Sequence, residues 1–175
     1  MNNYVADGNL VRIRPITMAD TELIVKWRNT PEVQQQFVFQ KTFTNEIHQA
    51  WMQTKVFTGE VDQFIIETLP DNKPIGSVYL RDIDNRNMSA EFGIFIGETD
   101  CFGKGYGSEA SQLILDYGFC VRSLHRIFLR VFSDNVRAIA SYRKSGFTEE
   151  GIARDMIRQN GRYRSMQFMA VIKEA

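Results

Sequence analysis

Residues 101–109, Cys-Phe-Gly-Lys-Gly-Tyr-Gly-Ser-Glu, place three glycines at alternate positions directly ahead of a strongly periodic stretch. Gly103, Gly105 and Gly107 permit left-handed backbone angles, so successive N–H groups can turn toward one anion. A following helix would add its free amides and the positive end of its dipole. The chemistry such a loop serves is phosphate binding, with pyrophosphate as its natural guest. Ala110, Leu113, Ile114, Tyr117, Val121 and Leu124 recur at three- and four-residue spacing and predict that helix.

Nucleotide-type ligands separate on detail. An ATP-type loop needs Gly-Lys followed by Ser or Thr, and Lys104 is followed by Gly105. Gly105, Gly107 and Ala110 do fit the G-x-G-x-x-A of dinucleotide folds. Those folds want the loop after their first strand, however, with further strand–helix alternation downstream, whereas this loop comes past mid-chain. A second block, residues 134–147, reads Asp-Asn-Val-Arg-Ala-Ile-Ala-Ser-Tyr-Arg-Lys-Ser-Gly-Phe. Ser133, Asp134 or Asn135 can cap a helix here, Ala138 permits close approach, Gly146 ends the helix in a left-handed turn and Phe147 starts a strand.

Elements that could position these blocks alternate along the chain without repeats or a linker. Apolar alternation predicts strands at 10–16, 64–69, 75–80, 90–96 and 126–132, and two closing strands around 147–157 and 163–173. Thr17 or Asp20 opens a helix with Leu23, Ile24 and Trp27 on one face, stopped by Asn29-Thr30-Pro31. A second helix carries Ile47, Trp51 and Val56, with Thr44 and Asn45 as caps. Gly93 interrupts the 90–96 strand, where a glycine weakens the strand unless backbone or ligand comes close. With 175 residues, 43% hydrophobic, the chain suits one domain, 1–175. Lys plus Arg (21) balances Asp plus Glu (21), so no global field draws it to nucleic acid or an acidic membrane. No apolar run suits a membrane span or signal peptide, so a cytoplasmic protein is expected. Cys101, Cys120, His48 and His125 make no disulfide framework or ligand spacing, and no metal is expected.

The surviving ligand is coenzyme A. Residues 101–109 resemble the acyl-CoA loop of the GNAT N-acetyltransferase superfamily, [Q/R]-x-x-G-x-[G/A], with Phe102 where that pattern has Gln or Arg. A subgroup that acetylates protein N-termini, polyamines or amino sugars often carries an aromatic there, in a W-G-K-G-Y-G-like form. Residues 134–147 are similar to the superfamily's N-x-x-A-x-x-x-Y-x-x-x-G-F at Asn135, Ala138, Tyr142, Gly146 and Phe147. The resemblance implies a single-domain α/β (α+β) GNAT fold: a mixed, mostly antiparallel sheet of about seven strands, flanked by about four helices and splayed in the middle.

It also implies acetyl-CoA as cosubstrate and direct acetyl transfer to a primary amine. Gly103, Lys104, Gly105, Tyr106, Gly107 and Ser108 would hold the pyrophosphate, the backbones of Phe95 and Ile96 the pantetheine, and Asn135 the cofactor arm. Tyr142 would protonate the leaving sulfur, and Glu91 would serve as base, directly or through water. Trp27-Arg28-Asn29 is similar to a segment of enzymes that acetylate an amine on a nucleotide-linked sugar, although Trp27 also fits a core and Arg28 a helix end. The acceptor is then an amino-sugar nucleotide, favoured slightly over a polyamine or a protein N-terminus. Dimers are common among similar proteins. The competing class is a non-catalytic acyl-CoA-binding or sensing module.

Overall fold

Every residue of the strand Asp62–Thr68 is buried, its polar ones included, so the sheet containing it must be covered on both faces. The structure, a computed structural model, describes residues 4–174. Its sheet has eight strands: β1 (Ala6–Asp7), β2 (Val11–Pro15), β3 (Asp62–Thr68), β4 (Pro74–Asp84), β5 (Ser89–Ile96), β6 (Arg126–Phe132), β7 (Thr148–Gln159) and β8 (Arg162–Ile172). Their order is β1-β2-β3-β4-β5-β6-β8-β7, with every neighbouring pair antiparallel except β5 and β6.

Successive side chains of a strand point to opposite faces, and Phe64, Ile65 and Ile66 divide accordingly between two cores. Phe64 and Ile66 join Val78, Leu80 and Phe92 beneath α4 (Tyr106–Asp116) and α5 (Val136–Lys144). Ile65 joins Phe95, Trp27 and Met52 on the other face, beside α1 (Thr21–Arg28), α2 (Pro31–Gln34) and α3 (Asn45–Trp51). The seven expected strands are present, and the eighth is the two-residue β1, paired through Ala6 and Ile13. The fifth helix is the single turn α2. Thr30 stands at its N-cap, and Pro31 opens it where a missing N–H costs nothing.

Two helical faces differ from the periodic reading. Thr44 caps α3 by accepting from the Ile47 amide at 3.3 Å, yet Ile47 points outward, and the buried positions are His48 and, just past the helix, Met52. Beyond α4, residues Tyr117–Val121 form a π-helical turn, which adds a residue per turn and rotates the following face. Val121 is consequently exposed, while Leu124 stays in the core.

The first turn of α4 is fastened to the opening hairpin. Glu109 accepts from the amides of Asn9 at 2.9 Å, Leu10 at 2.7 Å and Val11 at 2.7 Å. Gly8 lies so close that an added Cβ would stand 2.5 Å from the Glu109 carboxyl carbon. Three charge-assisted bonds to main chain hold the β1–β2 turn where a side chain could not fit. Glu109→Ala should lower stability by about 2 kcal/mol. Thermal unfolding should show this as a midpoint roughly 4–8 °C below wild type.

Candidate active site

The parallel pairing of β5 with β6 covers only Ser89↔Arg126, Ala90↔Ile127 and Glu91↔Phe128. Past Glu91 the strands part, so main-chain groups of residues 92–96 that face β6 meet no strand. This is the expected splay, and it contains Phe95 and Ile96. The Phe95 ring is buried in the core beside α1, whereas Ile96 reaches under the first turn of α4, 3.9 Å from where a Cβ on Gly107 would stand.

The glycine loop leads into that turn. Gly103 and Gly105 take positive φ, +75° and +87°, and Gly105 is the N-cap of α4. Gly107 differs from the expectation because it already lies inside the helix. The helix's first internal bond is donated by Glu109, which leaves the amides of Tyr106, Gly107 and Ser108 free for an anion. Lys104 is exposed at the loop tip. The Ser108 and Ser141 hydroxyls share a 2.9 Å hydrogen bond that ties α4 to α5. Asn135 caps α5, accepting from the Ala138 amide at 3.2 Å, and donates to Gln36 at 2.9 Å, so both ends of its amide already serve the protein. Arg137, absent from the sequence reading, lies with its guanidinium carbon 4.6 Å from the Phe102 ring centroid and brings a cation to the loop.

Tyr142 projects from α5 toward the splay. Its ring stands edge-on to Phe92 at 5.7 Å and to Phe147 at 5.9 Å. No described residue hydrogen-bonds its hydroxyl. Burial pushes the phenol's pKa well above its ordinary value, and Tyr79 adds to the shift. The group therefore stays protonated and can only give its proton to a strong acceptor.

Glu91 does not present a free carboxylate. Arg81 donates to it at 3.0 Å, and Arg130 donates through two nitrogens at 3.1 and 2.9 Å. Burial alone would raise its pKa, but the hydrogen bonds and charges of Arg130 and Arg81 outweigh that and hold it below the usual carboxylate value. A carboxylate so clamped is a weak base, which argues against the expected role. Its neighbour Gly93 is accounted for by a side chain: an added Cβ would stand 2.3 Å from the ring of Tyr79, its partner on β4. Tyr79 is a second residue that the sequence reading missed. Its phenol lies within electrostatic reach of Arg28, Arg81 and Glu91, and it influences Tyr142.

The Trp27-Arg28-Asn29 run divides into three jobs. Trp27 has no exposed surface; its indole donates to Glu98 at 2.7 Å and packs against Phe95, so it is core and not an acceptor contact. Asn29 exchanges two 2.8 Å hydrogen bonds with the Phe43 backbone and locks the loop between α2 and α3. Arg28 alone remains available, stacked over Phe37 and Phe43.

A free backbone run, a glycine-capped helix N-terminus and a proton-holding tyrosine thus converge on one opening. The sequence pattern of the acetyltransferase (GNAT) domain matches residues 11–148. The chain belongs to the GNAT acetyltransferase family. It is 29% identical over 163 residues to the spermidine N(1)-acetyltransferase of Escherichia coli K12, covering 93% of this chain and 86% of that one. The crystal structure of spermidine N-acetyltransferase from Vibrio cholerae in complex with CoA and spermine superposes with a TM-score of 0.87 at 25% identity, over 94% and 96% of the two chains. A dodecameric structure of the Vibrio cholerae enzyme in an intermediate state gives 0.79 at 25% identity, over 94% and 95%. This GNAT chain is an N-acetyltransferase with acetyl-CoA as its cosubstrate. The expected preference for an amino-sugar acceptor finds no support, since these relatives are named for spermidine.

The clamp on Glu91 has a distinctive pH signature. A depressed folded pKa contributes stability that is present above the ordinary value and lost as pH falls through the folded one. Glu91→Gln should therefore cost about 1–2 kcal/mol at pH 7, the partners' side chains being 36% exposed and partly screened. In denaturant unfolding, the gap from wild type should hold down to about pH 5 and close only below the ordinary value of 4.5. Equal stability of variant and wild type at pH 7 would return Glu91 to the role of a free base.

Proposed function

We propose that this chain transfers the acetyl group of acetyl-CoA directly to the primary amine of a small acceptor, with Tyr142 as the acid for the departing thiolate. The observation that carries this reading is the parting of β5 from β6 beside Tyr142, with the Gly105-capped helix at the same opening. The main-chain groups of residues 92–96 are suited to the amides of pantetheine as an added strand would be. Gly103, Lys104, Gly105, Tyr106, Gly107 and Ser108 supply the pyrophosphate seat, with Arg137 beside it. Asn135 contributes by capping α5 and so holding the helix that carries Tyr142.

The acceptor arrives as an ammonium and must lose a proton before it attacks. Glu91 is held by two arginines, so that proton passes to water. Arg28, Arg81 and Arg130 outnumber Glu91 and the exposed Asp82 beside Arg81, and so disfavour an ammonium, which helps the amine to enter neutral. The thioester supplies an activated acyl group; attack forms the new C–N bond, cleavage of C–S releases a thiolate that takes the Tyr142 proton, and the proton shed by the acylated nitrogen restores the phenol by way of water. Similarity to enzymes named for spermidine makes polyamines the first acceptors to try, with free peptide N-termini second. Homo-oligomer formation belongs to the same proposal, on the likeness to the dodecameric relative.

Thiol release from acetyl-CoA with an amine panel tests the reading. Tyr142→Phe should lower kcat about 100-fold or more while the KM for acetyl-CoA stays near wild type. Unchanged turnover would remove Tyr142 from the acid role. Arg137→Ala should raise the KM for acetyl-CoA about fivefold with little change in kcat, as suits one exposed phosphate contact.

A further inference from the structure

Arg28 is a cation without an answering group. Its guanidinium carbon lies 3.4 Å from the centroid of the Phe37 ring and 4.7 Å from that of Phe43. Its Nε is buried and has no hydrogen-bond partner, and no described carboxylate pairs with it. The acidic residues of this wall, Glu22, Glu32 and Glu46, are exposed, and Glu91 is taken by Arg81 and Arg130. Desolvation, with a smaller push from Arg81, draws the Arg28 pKa down to about 10. Two aromatic faces offset part of the cost of burying the charge, but they satisfy none of its five N–H donors.

The shelf under Arg28 is held firmly. Asn29 pins Phe43 through both of its amide atoms, and the Phe37 carbonyl accepts from Gln40 at 2.7 Å and Gln159 at 3.0 Å. The Phe37 ring rests on Phe95 at 5.7 Å, so the shelf continues onto the splayed half of β5. Tyr79 lies across Gly93 of that strand, and Phe92 of the same strand meets the Tyr142 ring edge-on at 5.7 Å. The unpaired guanidinium is thus placed along the strand that leads to the acid.

We propose that Arg28 is a specificity-determining residue that receives an oxyanion of the acceptor, which makes that acceptor a primary amine bearing a carboxylate or a phosphate. This rests on the N-acetyltransferase reading above but departs from its polyamine-first order, setting an anionic amine ahead of the polycations that the relatives' names suggest. Both anions match the planar fork of a guanidinium, and either would supply the charge partner and the hydrogen bonds that Arg28 lacks. Spermidine offers it only ammonium groups.

The test is thiol release from acetyl-CoA by wild type and Arg28→Gln with chain-matched aminoalkyl carboxylates, phosphates and alcohols, and with spermidine. For wild type, an anionic amine should exceed the alcohol of equal length at least about 10-fold in kcat/KM, and Arg28→Gln should shrink that ratio about 10- to 100-fold. The carboxylate and phosphate arms identify which anion is read. The variant's thermal midpoint should lie within a few degrees of wild type, because the substitution removes a half-buried unpaired charge together with its stacking on two rings; this separates lost recognition from lost folding. Wild type using spermidine or the alcohol as well as any anionic amine would overturn the inference and leave the N-acetyltransferase reading standing. Thiol release with no amine at all would overturn both.

Discussion

Glu91 accepts hydrogen bonds from Arg81 of β4 and from Arg130 of β6 at the last residue where β5 and β6 are still paired. One carboxylate therefore fastens three strands at the point from which the sheet opens. An opening in a parallel pair is unstable by default, because two facing rows of main-chain donors and acceptors would gain by closing on each other. Holding the opening in one place requires a fixed apex. A buried carboxylate with two guanidinium partners supplies one, since moving any of the three strands would strand a charge.

The opening joins two chemically different faces. Phe92 turns toward α5 and meets Tyr142, while Phe95 turns toward α1 and meets Phe37 and Trp27. The glycine loop and Tyr142 belong to the first face, and Arg28, Arg81 and Glu91 to the second. Strand alternation alone produces this division: residues one apart on β5 serve opposite sides of the sheet. A reaction between an activated acyl group and an amine needs two ligands to meet without sharing a seat, and a gap in a covered sheet provides that.

Much of this arrangement was legible in the sequence where the signal was local. The glycines at 103 and 105 announced a left-handed loop, Asn135 and Gly146 bounded α5, and apolar alternation marked the strands. Pairings across the chain were not legible. Nothing near Glu91 indicates that Arg81 and Arg130, 10 and 39 residues away, will close on it; that depends on β4 and β6 both lying beside β5. Tyr79 over Gly93 is likewise a matter of register. Trp27 and Asn29 looked like companions of Arg28 because they adjoin it, yet helical geometry sends neighbours in different directions, one inward and one to the loop. Val121 was misread for a local reason of another kind, a π-turn that composition does not reveal.

The parted strands give this sheet more borders than its strand count implies. An open eight-stranded sheet has two outer edges, here β1 and β7, and both are ordinary places for a fold to manage unpaired main chain. The gap between β5 and β6 adds two inner ones, flanked by apolar residues such as Phe92 and Phe95. Any extended segment that fits could add to them, so the opening proposed to seat the cosubstrate is also a point of exposure to stray polypeptide. Its shortness, five residues of β5 beyond Glu91, limits what can dock there. Under the proposed seating, a bound cosubstrate would act as a plug, giving the enzyme protection from unwanted strand pairing whenever it is ready to turn over.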